Sequence, residues 1–178
     1  EKIYSDHSSI DLDLLHPSQF AAFCLNEIET ADALIDVGCG NGRDSFFFSR
    51  YGMDVLGIDG STQAIELCRE TTEKNALSAL DFHVFDFSKR EEIATYVESL
   101  GQKNIALYSR FFLHALEPSE QDNFFAFCQL LKHPGMQVFL EFRTVQDEQG
   151  EKSTGEHYRR YLHPEEVQAC LEKSGFST

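Results

Sequence analysis

Two carboxylates flanking a glycine-rich turn are the first residues whose types and spacing suggest chemistry. Asp36-Val37-Gly38-Cys39-Gly40-Asn41-Gly42 follows the apolar pair Leu34-Ile35, and about seventeen residues past Gly42 the run Asp54-Val55-Leu56-Gly57-Ile58 ends in Asp59. Alternating glycines let the backbone take positive φ and let a ligand approach it closely. A helical stretch begins at about Asp44, so the N–H groups of its first turn face whatever occupies the turn. A dinucleotide fingerprint requires G-x-G-x-x-G, whereas here the pattern is G-x-G-x-G, with Arg43 where the last glycine should fall. Asp36 would repel a pyrophosphate and suits a ligand carrying an ammonium group. Asp59, followed by Gly60, stands at a strand tip, where a carboxylate is placed to accept hydrogen bonds from ribose hydroxyls.

Further reactive side chains lie after later apolar runs. Asp86-Phe87-Ser88 ends a third run, and Ser109-Arg110-Phe111-Phe112-Leu113-His114 follows a fourth. A polar and aromatic stretch, residues 143–163, contains Arg143, His157, Tyr158, Arg159 and Arg160. A histidine near neutral pKa can take a proton from an acceptor hydroxyl, so His114 and His157 are candidate bases. The alternatives are a packed or capping imidazole for His114 and a surface loop for His157. Guanidinium forks bind phosphate or carboxylate in bidentate fashion. Arg110, Arg143, Arg159 and Arg160 are therefore candidates to hold an anionic acceptor, or else they pair with the many acids of the chain. Arg43 is placed to pair with a nearby acid. Asp86 and Ser88 are also plausible caps for the helix that follows them.

These groups must be positioned by alternating strands and helices. Apolar-rich runs at residues 34–37, 54–58, 81–85, 104–108 and 136–142 predict strands. Helices are predicted over residues 19–28, capped by Ser18, then 44–51, stopped by Gly52, then about 62–74, capped by Ser61 or Thr62. Three more are predicted over 90–100, 120–131 and 165–174. Phe46, Phe47 and Phe48 cannot share one face of a helix, so one of them should turn toward a neighbouring element or a ligand. Residues 1–17 read as an N-terminal arm that folds over the site, and Gly175-Phe176 would begin a sixth strand. Five strand–helix alternations imply an α/β fold, a doubly wound, mostly parallel sheet flanked by helices, as a single domain spanning residues 1–178.

The segments Asp36-Val37-Gly38-Cys39-Gly40-Asn41-Gly42 and Gly57-Ile58-Asp59 together resemble the cofactor site of class I S-adenosylmethionine-dependent methyltransferases. The resemblance implies a Rossmann-like fold and S-adenosylmethionine as cofactor, with S-adenosylhomocysteine as product. It implies that Asp36, Gly38, Cys39, Gly40, Asp59 and Gly60 bind the cofactor, and that Asp86 accepts from the adenine amino group while the Phe87 backbone N–H contacts the ring. It places Ser109 beside the cofactor and His114, His157 and Arg110 near the reacting methyl. Arg143, Tyr158, Arg159 and Arg160 would then bind the acceptor. The segments 108–114, 141–143 and 157–160 resemble a bacterial subgroup associated with surface-polysaccharide synthesis, which implies a glycan, sugar phosphate or other small acceptor. Members of the family usually finish with an antiparallel strand pair, for which this sequence has no residues.

Composition narrows the alternatives. The chain has 178 residues, 42% hydrophobic and 25% charged, enough for one domain with a substantial core. Its net charge of −15, with 30 acids against 15 lysines and arginines, argues against nucleic acid as partner. No apolar run is long enough to span a membrane. Five scattered cysteines without a C-x-x-C argue for a reducing compartment, hence the cytoplasm, and against a disulfide framework or zinc site. A metal-assisted variant would draw on Glu141, His157 or His163, but no i, i+4 histidine pair or dense Asp cluster supports it. An NAD-dependent oxidoreductase and a cofactor-binding domain without catalysis are the competing readings. Nothing in the sequence marks an oligomeric interface.

Overall fold

A computed structural model of the chain describes residues 10–29, 31–101, 104–149 and 160–177. Five strands, β1 (Ala33–Val37), β2 (Asp54–Asp59), β3 (Leu80–Val84), β4 (Ile105–Arg110) and β5 (Val138–Glu141), form one sheet in the order β3-β2-β1-β4-β5. Strands β1, β2, β3 and β4 pair in parallel, with Asp36 opposite Gly57 of β2 and Tyr108 of β4. The Leu107 and Phe111 N–H groups donate to Gln137 and Glu141 carbonyls, and this equal advance along both chains makes β5 parallel as well. The burial of each strand follows from its place. Central β1 is buried at every residue and β4 at all but its last, whereas edge strand β3 is interrupted by exposed positions. A strand covered on both faces favours apolar side chains, the pattern that β1 and β4 follow except at Asp36, Ser109 and Arg110 toward their carboxyl ends.

Six helices alternate with these strands: α1 (Gln19–Glu27), α2 (Arg43–Arg50), α3 (Thr62–Lys74), α4 (Ile93–Ser99), α5 (Pro118–Leu131) and α6 (Pro164–Lys173). Ser18 caps α1, its Oγ accepting from Ala21 N at 2.9 Å, and Ser61 caps α3 by accepting from Ala64 N at 3.3 Å. The three phenylalanines of α2 divide as the geometry requires. Phe46 and Phe48 are buried, while Phe47 turns aside and packs its ring 4.9 Å from Tyr51. Phe82 of β3 fills the space over Gly57, where a Cβ would come within 2.5 Å of the ring.

The chain packs as two compact units. The first comprises residues up to Asp86, Gln102–Arg110 and His133–Leu140, and thus holds α1–α3, β1–β4 and most of β5. Ile10, Leu12 and Leu15 of the expected N-terminal arm pack against its core, and Arg50 Nη2 donates to Leu12 O at 2.7 Å. The second comprises Phe87–Gly101, Phe111–Lys132 and the chain from Glu141 onward. Its interior is aromatic, with the Phe87 ring 5.6, 5.8 and 5.5 Å from those of Phe112, Phe124 and Phe127.

Several boundaries differ from the sequence expectation for local reasons. The helix expected from residue 90 starts as a 3₁₀ turn (Arg90–Glu92), and the residue at its N-cap is Lys89 rather than Asp86 or Ser88. Met136 belongs to a turn, donating to His133 O at 3.1 Å, so β5 starts two residues later than expected. Helix α5 starts at Pro118, because proline at the first position loses no helical hydrogen bond and Glu117 N is met by the Glu120 carboxylate at 2.8 Å. Gly175 and Phe176 form a turn and irregular chain, and no antiparallel strand occurs among the described residues.

Candidate active site

Strand order reverses at β1, and in open parallel sheets ligands gather at the carboxyl ends of the strands flanking such a reversal. The turn after β1 is held open by its backbone. Gly38, Gly40 and Gly42 take φ of 74°, 55° and 72°, in the left-handed region that side chains resist. Gly42 is required twice, since a Cβ there would also meet Phe46 and Phe82 at 2.9 Å and the Cys68 sulfur at 3.0 Å. Gly38 N and Cys39 N donate to Ile58 O at 2.8 and 3.1 Å, tying the turn to β2. Asp59 completes the tie, its Oδ2 accepting from Gly40 N at 2.9 Å and its Oδ1 from Ser61 N at 2.8 Å. A carboxylate offers about four lone-pair sites, so these two bonds orient Asp59 and leave acceptor capacity for hydroxyls.

Two buried aspartates beneath the turn differ in their donors. Asp44 accepts from Ser18 N, Ser18 Oγ and Tyr108 OH, each at 2.8 Å, and from Arg43 Nε at 3.2 Å. Burial opposes its charge, but these bonds and the Arg43 cation together hold its pKa below the ordinary value. Asp36 accepts a single side-chain bond, from Ser45 Oγ at 2.5 Å. Desolvation dominates there, the Asp44 and Asp59 charges add to it, and the Asp36 pKa rises to about 7 despite Ser45 and Arg43. Cys39 of the turn and Cys68 of α3 both direct their sulfur toward Gly40 O, and burial with the nearby acids pushes both thiols well up. They are therefore neutral packing groups and not nucleophiles.

The other cofactor candidates fall at neighbouring strand ends. Gly60 follows Asp59, and a Cβ there would meet only Phe85 O at 3.8 Å. Ser109 is buried at the end of β4 with Oγ donating to Val37 O at 2.9 Å, so its hydroxyl locks β4 to β1. Arg110 is the half-buried last residue of β4. Asp86 ends the first unit, and Phe87 opens the second with its ring in the aromatic core. Any contact from Phe87 to a ligand would therefore come from its backbone, as the resemblance implies. Asn123 pins that backbone, donating from Nδ2 to Phe87 O at 2.7 Å and accepting from Arg90 Nη1 at 3.0 Å.

In the second unit the structure brings together His114, Arg143 and Arg160. His114 is buried, its Nδ1 accepts from Arg143 N at 3.2 Å, and its carbonyl accepts from Arg160 N at 2.9 Å. A neutral imidazole accepting at Nδ1 carries its proton on Nε2. Phe111 takes a left-handed φ of 55° and supports the Arg143 guanidinium 4.9 Å above its ring. That guanidinium also reaches Asp147 at 3.7 Å and is 43% exposed, while Arg160 Nη2 donates to Gln121 Oε1 at 2.5 Å. His157, Tyr158 and Arg159 lie outside the described residues. His163 sits at the N-cap of α6, 3.4 Å from Glu165, and no metal-binding cluster of His, Cys, Asp or Glu occurs among the described residues. No helix among them is long and apolar enough to cross a membrane.

Comparison with known proteins matches residues 28–168 to a family described as a methyltransferase domain. The chain belongs to that methyltransferase family. The family's cofactor is S-adenosylmethionine. A ubiquinone biosynthesis O-methyltransferase of Acinetobacter baylyi is 30% identical over 107 residues, covering 60% of this chain and 42% of that protein. A 23S rRNA (uracil-C5)-methyltransferase of Vesicomyosocius okutanii is 34% identical over 65 residues, covering 36% of this chain and 15% of that protein. The chain thus spans less than half the length of these curated relatives. Among solved structures, the phosphoethanolamine N-methyltransferase 2 of Haemonchus contortus, in complex with S-adenosyl-L-methionine, superposes with a TM-score of 0.64. It is 19% identical, and the match covers 88% of this chain and 36% of that one, a likeness of fold.

Within this methyltransferase, three structural partners escape sequence reasoning. Ser45 and Asn123 each hold a candidate site residue, Asp36 and Phe87, while Tyr108 holds the neighbouring Asp44, and each is an ordinary buried side chain in its own element. The one local signal was Asp44, an acid in the first turn of a helix, where the macrodipole favours negative charge.

Proposed function

We propose that this chain transfers the methyl group of S-adenosylmethionine to a small acceptor bearing a phosphate or carboxylate. The observation that carries the reading is the Asp59 carboxylate, fixed at the tip of β2 by Gly40 N and Ser61 N. The donor set fits the cofactor: acids at the ends of β1 and β2 suit an ammonium group and ribose hydroxyls, and the glycine turn admits close approach. A pyrophosphate would meet Asp36, which counts against a nicotinamide dinucleotide. When bound, the cofactor supplies a methyl group already activated on a sulfonium, so the protein must align the acceptor, exclude water and manage its proton.

Gly38, Cys39, Gly40, Asp59 and Gly60 would hold the cofactor, with Asp36 beneath the turn and Asp86 and the Phe87 backbone toward the adenine. His114, with Nδ1 accepting from the backbone, would present an N–H and orient an acceptor oxygen, and a base role would require that bond to break. His157 is the alternative base. Arg143, steadied on Phe111, is the guanidinium best prepared to meet an anion, with Tyr158, Arg159 and Arg160 from the same stretch and Arg110 at the end of β4. The Acinetobacter relative, named for ubiquinone biosynthesis, supports a small-molecule acceptor, and a sugar phosphate of a surface glycan is one such acceptor that carries the proposed anion. The net charge of −15 supports a small acceptor over nucleic acid, and five free cysteines support a reducing, cytoplasmic setting.

The test is turnover of methyl-labelled cofactor against paired acceptors that differ only in a phosphate or carboxylate. Anionic acceptors should be preferred, and Arg143→Ala should raise their KM about tenfold or more while sparing neutral ones. Equal turnover of both kinds, unchanged by Arg143→Ala, would overturn the assignment of an anionic acceptor.

A further inference from the structure

Asp36 is set apart by what surrounds it. It lies in β1 between Gly57 and Tyr108 of the flanking strands, is 3% exposed, and meets Ser45 Oγ of α2 at 2.5 Å. The charged and titratable groups facing it are Asp44 and Arg43 from α2, Asp59 from β2, Cys39 from the glycine turn, Cys68 from α3 and Tyr108 from β4. Burial and the nearby acids push Cys39, Cys68 and Tyr108 further above neutrality, so all three stay uncharged, while the bonds to Asp44 keep it ionised. Asp36 has one hydroxyl donor where Asp44 has three donors and an adjacent guanidinium. A buried carboxyl with so little support and two acidic neighbours has its charge finely balanced, and an incoming positive charge decides it.

We propose that Ser45 is a positioning residue that holds Asp36 ready to ionise, so that the sulfonium cofactor binds with release of a proton and is favoured over its neutral-sulfur product. This inference rests on the reading of the glycine turn as the cofactor site. S-Adenosylmethionine and S-adenosylhomocysteine share the ammonium and the carboxylate, and they differ by the methyl group that puts a positive charge on sulfur. Ionised Asp36 attracts that extra charge through a medium that screens poorly. Protonated Asp36 does not, so the preference for the cofactor should fade as pH falls. The Ser45 hydroxyl stabilises the anion, and its removal should move the transition to higher pH.

The experiment is isothermal titration calorimetry of the wild-type chain with each ligand from pH 5.5 to 8, in two buffers of different ionisation enthalpy. Affinity for S-adenosylmethionine should fall about tenfold per pH unit below about pH 6.5 and level off above pH 8, with S-adenosylhomocysteine changing less. At pH 6 the heat of S-adenosylmethionine binding should differ between the buffers by an amount approaching one released proton. Ser45→Ala should weaken S-adenosylmethionine several-fold at pH 7, with little effect on S-adenosylhomocysteine, and Ser45→Thr should restore it. Equal pH slopes for the two ligands, or heats independent of buffer, would overturn the inference while leaving the cofactor site intact. Failure of both ligands to bind the wild-type chain would instead overturn the site reading, and this inference with it. Should Ser45→Ala fail to fold, the wild-type pH series in two buffers decides the matter alone.

Discussion

Replacing Asp36 with asparagine should stabilise the ligand-free chain at alkaline pH far more than at acidic pH. A carboxyl whose pKa is raised from 3.8 to about 7 on folding binds its proton more tightly in the native state. The stability it contributes is fully present below the unfolded value and is lost as pH rises through the folded one. At pH 5 the native group is protonated and the unfolded one mostly ionised, whereas at pH 8 both are ionised. Across that window the wild-type chain should lose about 3 kcal/mol from this residue alone, at about 1.4 kcal/mol per pH unit between 5 and 7. Asparagine keeps an oxygen for Ser45 and cannot ionise, so the variant should not lose it. The assay is urea unfolding of both proteins at pH 5, 6, 7 and 8, with their difference plotted against pH, since every other titrating group largely cancels. Asp44, whose pKa is lowered, acts in the opposite sense only as pH falls toward and below its ordinary value, outside this window. A difference constant within about 0.5 kcal/mol over the series would show that Asp36 stays ionised when buried, and would refute the contrast drawn between the two aspartates.

Other side chains of the same fold have consequences of their own. Asp44→Ala would leave Ser18 N buried without its acceptor and the Tyr108 hydroxyl with only Ser18 Oγ, and should cost about 3 kcal/mol, read as a lower urea midpoint. Gly57→Ala would drive a methyl group to 2.5 Å from the Phe82 ring and should cost about 1–3 kcal/mol, and Phe82→Ala in the same background should recover part of that penalty in a double-mutant cycle. Asn123→Ala should release the Phe87 carbonyl and weaken cofactor binding several-fold with only modest loss of stability, measured by calorimetry beside unfolding.

The parts of this molecule that were legible in the sequence are those written locally. The glycine turn, the acids that bracket it and the five strands each lie within a few residues, and their periodicity and turn chemistry mark them. Ser18 and Ser61 were readable as caps because a cap bonds to a backbone three residues away. What was not readable spans distance. The Asp44 clasp joins residues 26 and 64 positions apart, and the Asn123 bond to Phe87 spans 36. No periodicity encodes such pairings, since they arise only once α1, β4 and α5 have packed. The division into two compact units was equally hidden, because it cuts between Asp86 and Phe87 and between Arg110 and Phe111 without any linker-like composition. The partner of Arg43 was readable, since it pairs with the adjacent acid Asp44, but those of the other arginines were not: Arg160 meets Gln121, and Arg143 rests on an aromatic ring.

The turn after β1 and the carboxylate of Asp59 are proposed to form an S-adenosylmethionine site. Calorimetric titration with S-adenosylhomocysteine, run beside NAD on wild-type chain and Asp59→Ala, tests it most directly. Micromolar binding of S-adenosylhomocysteine is expected, weakened tenfold or more in Asp59→Ala, with no heat from NAD. Binding of NAD alone, or binding of S-adenosylhomocysteine that Asp59→Ala leaves unchanged, would contradict it.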